Sequence, residues 1–147
     1  MAVAFAVTVQ AETPADHSQP KEQASPKLTV LPTMKGYMGR LGTLMNFLFR
    51  EVDEPSKRDE VQQVINEMKS HLSEVKDKLL PRQILAMAGG QARLTAIGGF
   101  KACVDGAIDT LDAISSNIID ENFQAARKSL LYLDQLRRDC HTEYAGE

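Results

Sequence analysis

Apolar residues recur at spacings of three and four in four separate stretches, and this period constrains the fold more than any other feature. Met34, Met38, Leu41, Met45, Leu48 and Phe49 make one stripe; Val61, Val64, Ile65, Met68, Leu72, Val75 and Leu79 make a second. Ile97, Phe100, Val104, Ala107, Leu111, Ile114 and Ile118 form a third, and Phe123, Ala126, Leu130 and Leu133 a fourth, whose register continues into Arg137 and His141. Such stripes put one apolar face on an α-helix, whereas a strand would alternate with a period of two. The punctuation agrees. Thr33 after Pro32 suits an N-cap, Asp53-Glu54-Pro55-Ser56 breaks the first stripe, and Pro81 ends the second. Ser56 with Asp59 reads as a capping arrangement, Asp120 or Asn122 can cap the last helix, and residues 83–88 hold at most a helical turn before Gly89-Gly90. The expected architecture is all-α, an antiparallel up-down-up-down four-helix bundle.

Composition narrows the function classes. Lys and Arg number 17 against 20 Asp and Glu, a net charge of −3, which disfavours a surface built to grip nucleic acid or anionic lipid. Two cysteines make neither a disulfide-dense scaffold nor a four-cysteine zinc site. No apolar run reaches the roughly 18–20 residues of a membrane-spanning helix. Ser-His-Asp groupings, P-loops and dinucleotide-binding glycine patterns are missing from the sequence, so the chain does not read as an enzyme.

The chain divides into three parts. Residues 1–11 are almost wholly apolar up to the small residues around Val9-Gln10-Ala11, and read as a signal-peptide remnant, with an apolar arm packed on the domain as the bland reading. Residues 12–30, with Pro14, Pro20 and Pro26 among Ser, Gln, Glu and Lys, read as a flexible linker in which His17 is incidental. The bundle is expected over 31–147, in an exported protein of the periplasm, as a monomer or weak dimer. Gly36, Gly39 and Gly42 cost the first helix roughly 1 kcal/mol each relative to Ala, which suggests a bulky group or a small-residue helix contact against it.

His141 continues the apolar register near the end of the last helix, so its imidazole points into the bundle or along its edge, and Met38 lies on the inward face near the start of the first. In antiparallel neighbours both lie about 6–8 Å from one end of the bundle, at a rise of ~1.5 Å per residue. A thioether and an imidazole at one level are a candidate axial pair for haem iron, weighed against the plain alternatives of a core histidine and core-filling methionines. His71, beside Met68 and Val75, has no second ligand at metal spacing and reads as structural or exposed.

The segment from Phe123-Gln124-Ala125-Ala126-Arg127 through Leu133-Asp134-Gln135-Leu136-Arg137-Arg138-Asp139-Cys140-His141-Thr142-Glu143-Tyr144 resembles the C-terminal helix of the soluble cytochrome b562 family. That helix ends in an Arg, three residues, the axial His, two residues and a Tyr, a pattern that Arg137, His141 and Tyr144 match. The resemblance spans roughly residues 33–145, takes in Pro81 and Phe100, and sets Met38 as the second ligand, with Met34 one turn earlier as the fallback. It implies a b-type haem with Leu41, Met45, Phe100 and Leu133 as pocket walls, Arg137 near a propionate, and a small soluble electron carrier whose redox partner is unknown. Two departures stand out: a longer turn between the first two helices, and Cys140 before the axial His. Cys140-His141 is half of the Cys-x-x-Cys-His motif that the related cytochromes c′ carry. Cys140 therefore has three readings: a single thioether to haem, a disulfide with Cys103, or a small buried thiol. The rival functions are a five-coordinate, gas-binding protein similar to cytochrome c′, and a haem-free helical-bundle interaction module.

Overall fold

The structure, a computed structural model, describes residues 33–145. The expected signal remnant over 1–11, the linker over 12–30 and the outermost residues of the expected domain lie outside them. Four long helices pack together: α1 (Met34–Glu51), α2 (Arg58–Lys78), α4 (Gln91–Ile119) and α5 (Phe123–Cys140), with a short α3 (Arg82–Ala86) between the second and third. No strand occurs among the described residues.

Side-chain pairs establish how neighbours run. Tyr37 meets His71 and Arg40 meets Glu67, so α1 and α2 are antiparallel. Gln62 with Ser115, Lys69 with Asp112 and Lys76 with Asp105 run α2 against α4 in opposite directions. Cys103 with Cys140, and Gly106 against Leu136, do the same for α4 and α5. Each connected pair of long helices thus reverses direction, the up-down order that the sequence period implies.

Local chemistry accounts for most helix ends. The Thr33 hydroxyl accepts from the Gly36 amide at 3.1 Å, and the Asn122 side chain accepts from the Ala125 amide at 3.2 Å. Asp59 and Glu60 open α2 and Lys76 and Lys78 close it, complementing its dipole. The Ser56–Asp59 capping arrangement does not form. Pro55 starts a 3-10 turn over Pro55–Lys57, Ser56 lies inside that turn, and the cap position of α2 falls on Lys57 with no side-chain bond. The glycine expectation also changes: a side chain on Gly39 or Gly42 would meet nothing, because these residues lie on the solvent face of α1.

The core is continuous but has two centres. The larger joins Leu41, Leu44, Met45, Leu48, Val52, Val61, Ile65, Met68, Leu111, Ile114, Ile118, Ala126, Leu130 and Leu133. The smaller, at the end where α1 begins and α5 finishes, holds Val75, Ile84, Phe100 and Val104, with Met34, Tyr37 and Tyr144 packed against it. Buried Thr110 satisfies its hydroxyl on the Gly106 carbonyl at 2.7 Å. A disulfide joins Cys103 and Cys140 across α4 and α5, with Cα atoms 6.2 Å apart and a separation of 37 in sequence. Closing a loop of that length removes roughly 4 kcal/mol of unfolded-state freedom.

Candidate functional site

The seam between α1 and α5 is the least closed of the bundle's four sides. Its firm contact is at one end, where Arg127 donates to the Phe49 carbonyl at 2.6 Å and pairs with Asp53 at 3.1 Å. This latch defines which helix faces line the seam. Residues 127, 134 and 141 follow one another at seven-residue spacing, so Asp134 and His141 continue the α1-facing line of Arg127 with a drift of only ~20° per heptad.

Along the helix axes, Met38 is about 16 Å from the latch and His141 about 21 Å, at ~1.5 Å per residue. Met34 is about 22 Å from it. All three are therefore at the far, unlatched end. Met38 is half-buried and packs against both core centres, whereas Met34 touches the smaller one. His141 is exposed and begins a π-helical turn, His141–Ala145, its amide bonded to the carbonyls of Arg137 and Arg138. Of the two expected placements of this imidazole, into the bundle or along its edge, its exposure fits the edge. The buried stripe of α5 ends at Leu133, and beyond it Leu136, Cys140 and Tyr144 pack on the α4 side.

The remaining expected site residues divide cleanly. Leu41, Met45 and Leu133 are buried together in the larger core centre, and Phe100 is buried in the smaller. Phe100 meets Tyr144 edge-on at 6.1 Å between ring centres. Arg137 is exposed and shares the Asp134 carboxylate with Arg138. Hydrogen bonds from Arg138, and then Arg137, hold that carboxyl below the ordinary aspartate range, against the opposing effect of burial. His71 is part-buried, within 3.3 Å of Glu67 and edge-on to Tyr37, so it is a structural member of the α1–α2 contact.

Cys140 is resolved among its three readings. Its sulfur is bonded to that of Cys103, which leaves no thiol to add to a haem vinyl and none buried and free. A haem here would have to be held without a covalent link, by a half-buried thioether and an exposed imidazole, and the side chains expected as its walls, Leu41, Met45, Leu133 and Phe100, are packed in the core. No group of three or more His, Cys, Asp or Glu side chains suited to a metal ion occurs among the described residues. No described helix is long and apolar enough to cross a membrane.

Sequence reasoning underweighted Tyr144. It lies over Gly99, and with Ile84, Met87 and Ala96 it lines an open cleft at the smaller core centre. Gly98-Gly99 inside an otherwise regular helix was the available signal, since glycine there admits close approach. In comparisons with known proteins, the chain matches no family model, no curated protein and no solved structure.

Proposed function

We propose that this protein holds a b-type haem noncovalently in the α1–α5 seam and serves as a small diffusible electron carrier in the periplasm. What supports the reading is that Met38 and His141 both belong to the end of the bundle away from the Arg127 contact, on the two helices of its least closed side. The resemblance of the Arg137–Tyr144 segment to the C-terminal helix of soluble cytochromes b562 supports it. The Cys103–Cys140 disulfide supports an oxidising compartment.

Haem, when bound, supplies a one-electron iron couple. The chain's own residues set its character. His141 offers an imidazole nitrogen from α5, and Met38 a soft thioether from α1, a donor that favours the reduced metal. A haem held by both side chains would leave no open position for small-molecule substrates or gases, which would suit electron transfer. Leu41, Met45, Leu133 and Phe100 keep the adjoining interior apolar, and Arg137 is positioned to meet an anionic edge group at the protein surface.

The level along the helices favours a second ligand assignment, Met34, which matches His141 along the axis; contact with both core centres favours Met38. The test is a haemin titration of the full-length chain purified without reductant, followed by spectra in both oxidation states. Uptake of one equivalent with a sharp Soret band and resolved α and β bands on reduction is the expected result, and His141→Ala should abolish retention. A high-spin spectrum with carbon monoxide binding would replace the carrier with the gas-binding reading. Absence of uptake would leave a haem-free interaction module.

A further inference from the structure

We propose that residues 28–32 of this chain lie as an extended strap in the cleft beside Tyr144 and complete the core at the end of the bundle where α1 begins. The inference is independent of the haem reading. The smaller core centre is where the helices enclose the interior least. Among the described residues it has four buried members and ten half-buried ones, whereas the larger centre has fourteen buried and seven half-buried. Beside it is a cleft of about 570 Å³ between α3, the start of α4 and the closing turn. Ile84, Met87, Ala96 and the Tyr144 ring make the cleft mainly apolar, and the exposed Gln83 and Glu143 also line it. Apolar surface of this kind gains free energy from whatever removes it from water.

The chain itself brings a cover to this end. Leu28-Thr29-Val30-Leu31-Pro32 is the most apolar stretch between residue 10 and α1, and it leads directly into Thr33. Thr33 has φ of −121° and ψ of 150°, so the chain enters α1 from an extended backbone. Pro32 restricts Leu31 to the same region, and β-branched Thr29 and Val30 favour it. Met34 and Tyr37, in the first turn of α1, pack on the same core centre as Ile84, Ala96 and Tyr144. The segment therefore starts beside the cleft. Five extended residues reach about 17 Å, at ~3.4 Å each. Opposite corners of a four-helix bundle with axes 8–10 Å apart are roughly 11–14 Å from each other, so the reach to the α4 side suffices. Residues 2–9 are also apolar, but they join through the whole of 10–32, which lowers their effective concentration at the cleft. Lys27, at the outer end of the segment, is opposite in charge to Glu143. The linker expected over 12–30 then ends near Pro26, and the domain begins before α1.

The experiment uses the full-length chain, methyl-labelled at Ile, Leu, Val, Met and Ala, with no haem added. Nuclear Overhauser contacts are expected from Leu28, Val30 and Leu31 to Ile84, Met87 and Ala96, with backbone order parameters above about 0.6 over 28–31. The Val30→Asp/Leu31→Asp variant should lose these contacts, keep the helical circular-dichroism spectrum, and melt lower by about 3 °C or more. Phe5→Asp, a change of the same kind among the first nine residues, should leave contacts and melting temperature as they are. Order parameters below about 0.6 over 28–31, without contacts to the cleft, would overturn the strap. Contacts to the cleft from residues 2–9 instead would overturn it in favour of the N-terminal arm. Contacts seen only between labelled and unlabelled copies in a mixed sample would overturn it in favour of a second copy of the chain.

Discussion

The hydroxyl of Tyr144 occupies the space that a β-carbon on Gly99 would need. The closing turn of the chain is thereby seated on α4 at a point where only glycine leaves room, one residue from the ring of Phe100. Tyr144 also donates to Glu143 at 2.8 Å; that bond, with burial, raises its phenol above the ordinary value.

This contact is tested with a double-mutant cycle. Gly99→Ala should destabilise the protein or displace Tyr144, whereas in a Tyr144→Ala background the same change should stabilise by about 1 kcal/mol, the helix preference of Ala over Gly. Urea unfolding of the four proteins should give a coupling of about 1 kcal/mol or more; additive effects would show that the two residues do not meet.

Met38→Ala separates packing from ligation. The side chain is half-buried between the two core centres, so its loss should cost about 1–2 kcal/mol in the haem-free protein, less than for a fully buried methionine. In the haem-loaded protein it should convert a low-spin spectrum to high spin, with Met34→Ala leaving the spectrum unchanged. The reverse pattern would assign the ligand to Met34.

Acid sensitivity should depend on Arg40. Its hydrogen bond at 2.6 Å holds Glu67 below the ordinary carboxylate value, ahead of the opposing effect of burial and a smaller contribution from His71. A carboxyl lowered in this way stabilises the fold above its unfolded-state pKa and loses that contribution as pH falls through the lower folded value. Arg40→Gln should therefore reduce stability at pH 7 and flatten the fall below about pH 4.5, where Glu67 would titrate nearer its ordinary value. Urea midpoints between pH 7 and pH 3 measure this, and an unchanged acid slope would refute it. The effect should be modest, because the Glu67 side chain is 35% exposed.

The α4–α5 turn carries its own strain. Glu121 has φ of 57°, a left-handed conformation that costs an ordinary residue about 1–2 kcal/mol. Glu121→Gly should raise the unfolding free energy by about 0.5–1 kcal/mol despite loss of the exposed pair with Arg58, because surface pairs contribute little. A destabilised variant would show that the Arg58 contacts outweigh the backbone.

Much of this architecture is legible in the sequence because helical burial is periodic and local. Every residue of the first three stripes is buried or packed on the core, as are Phe123 through Leu133 of the fourth. What the stripe could not convey is where a neighbour stops covering it. Arg137 and His141 keep the phase of Leu130 and Leu133, yet both are exposed, which period alone does not reveal. The disulfide was similarly half-visible. Counting from a turn near residue 120 sets Cys103 opposite about residue 137, one turn short of Cys140, and only the actual turn, through Glu121 and Asn122, brings the sulfurs together. Pro55 redirected the start of α2 by a preference that the Ser56–Asp59 pattern does not contain.

The Arg127 latch has a kinetic consequence. Arg127 and Phe49 are separated by 78 residues, the longest sequence span of the hydrogen bonds described above. Contacts between distant segments pay the largest loop-closure entropy and form late. The α1–α5 seam is thus the ring-closing step of folding, and the side of the bundle most readily opened once folded. Anything taken into the seam enters and leaves by the door the chain shuts last.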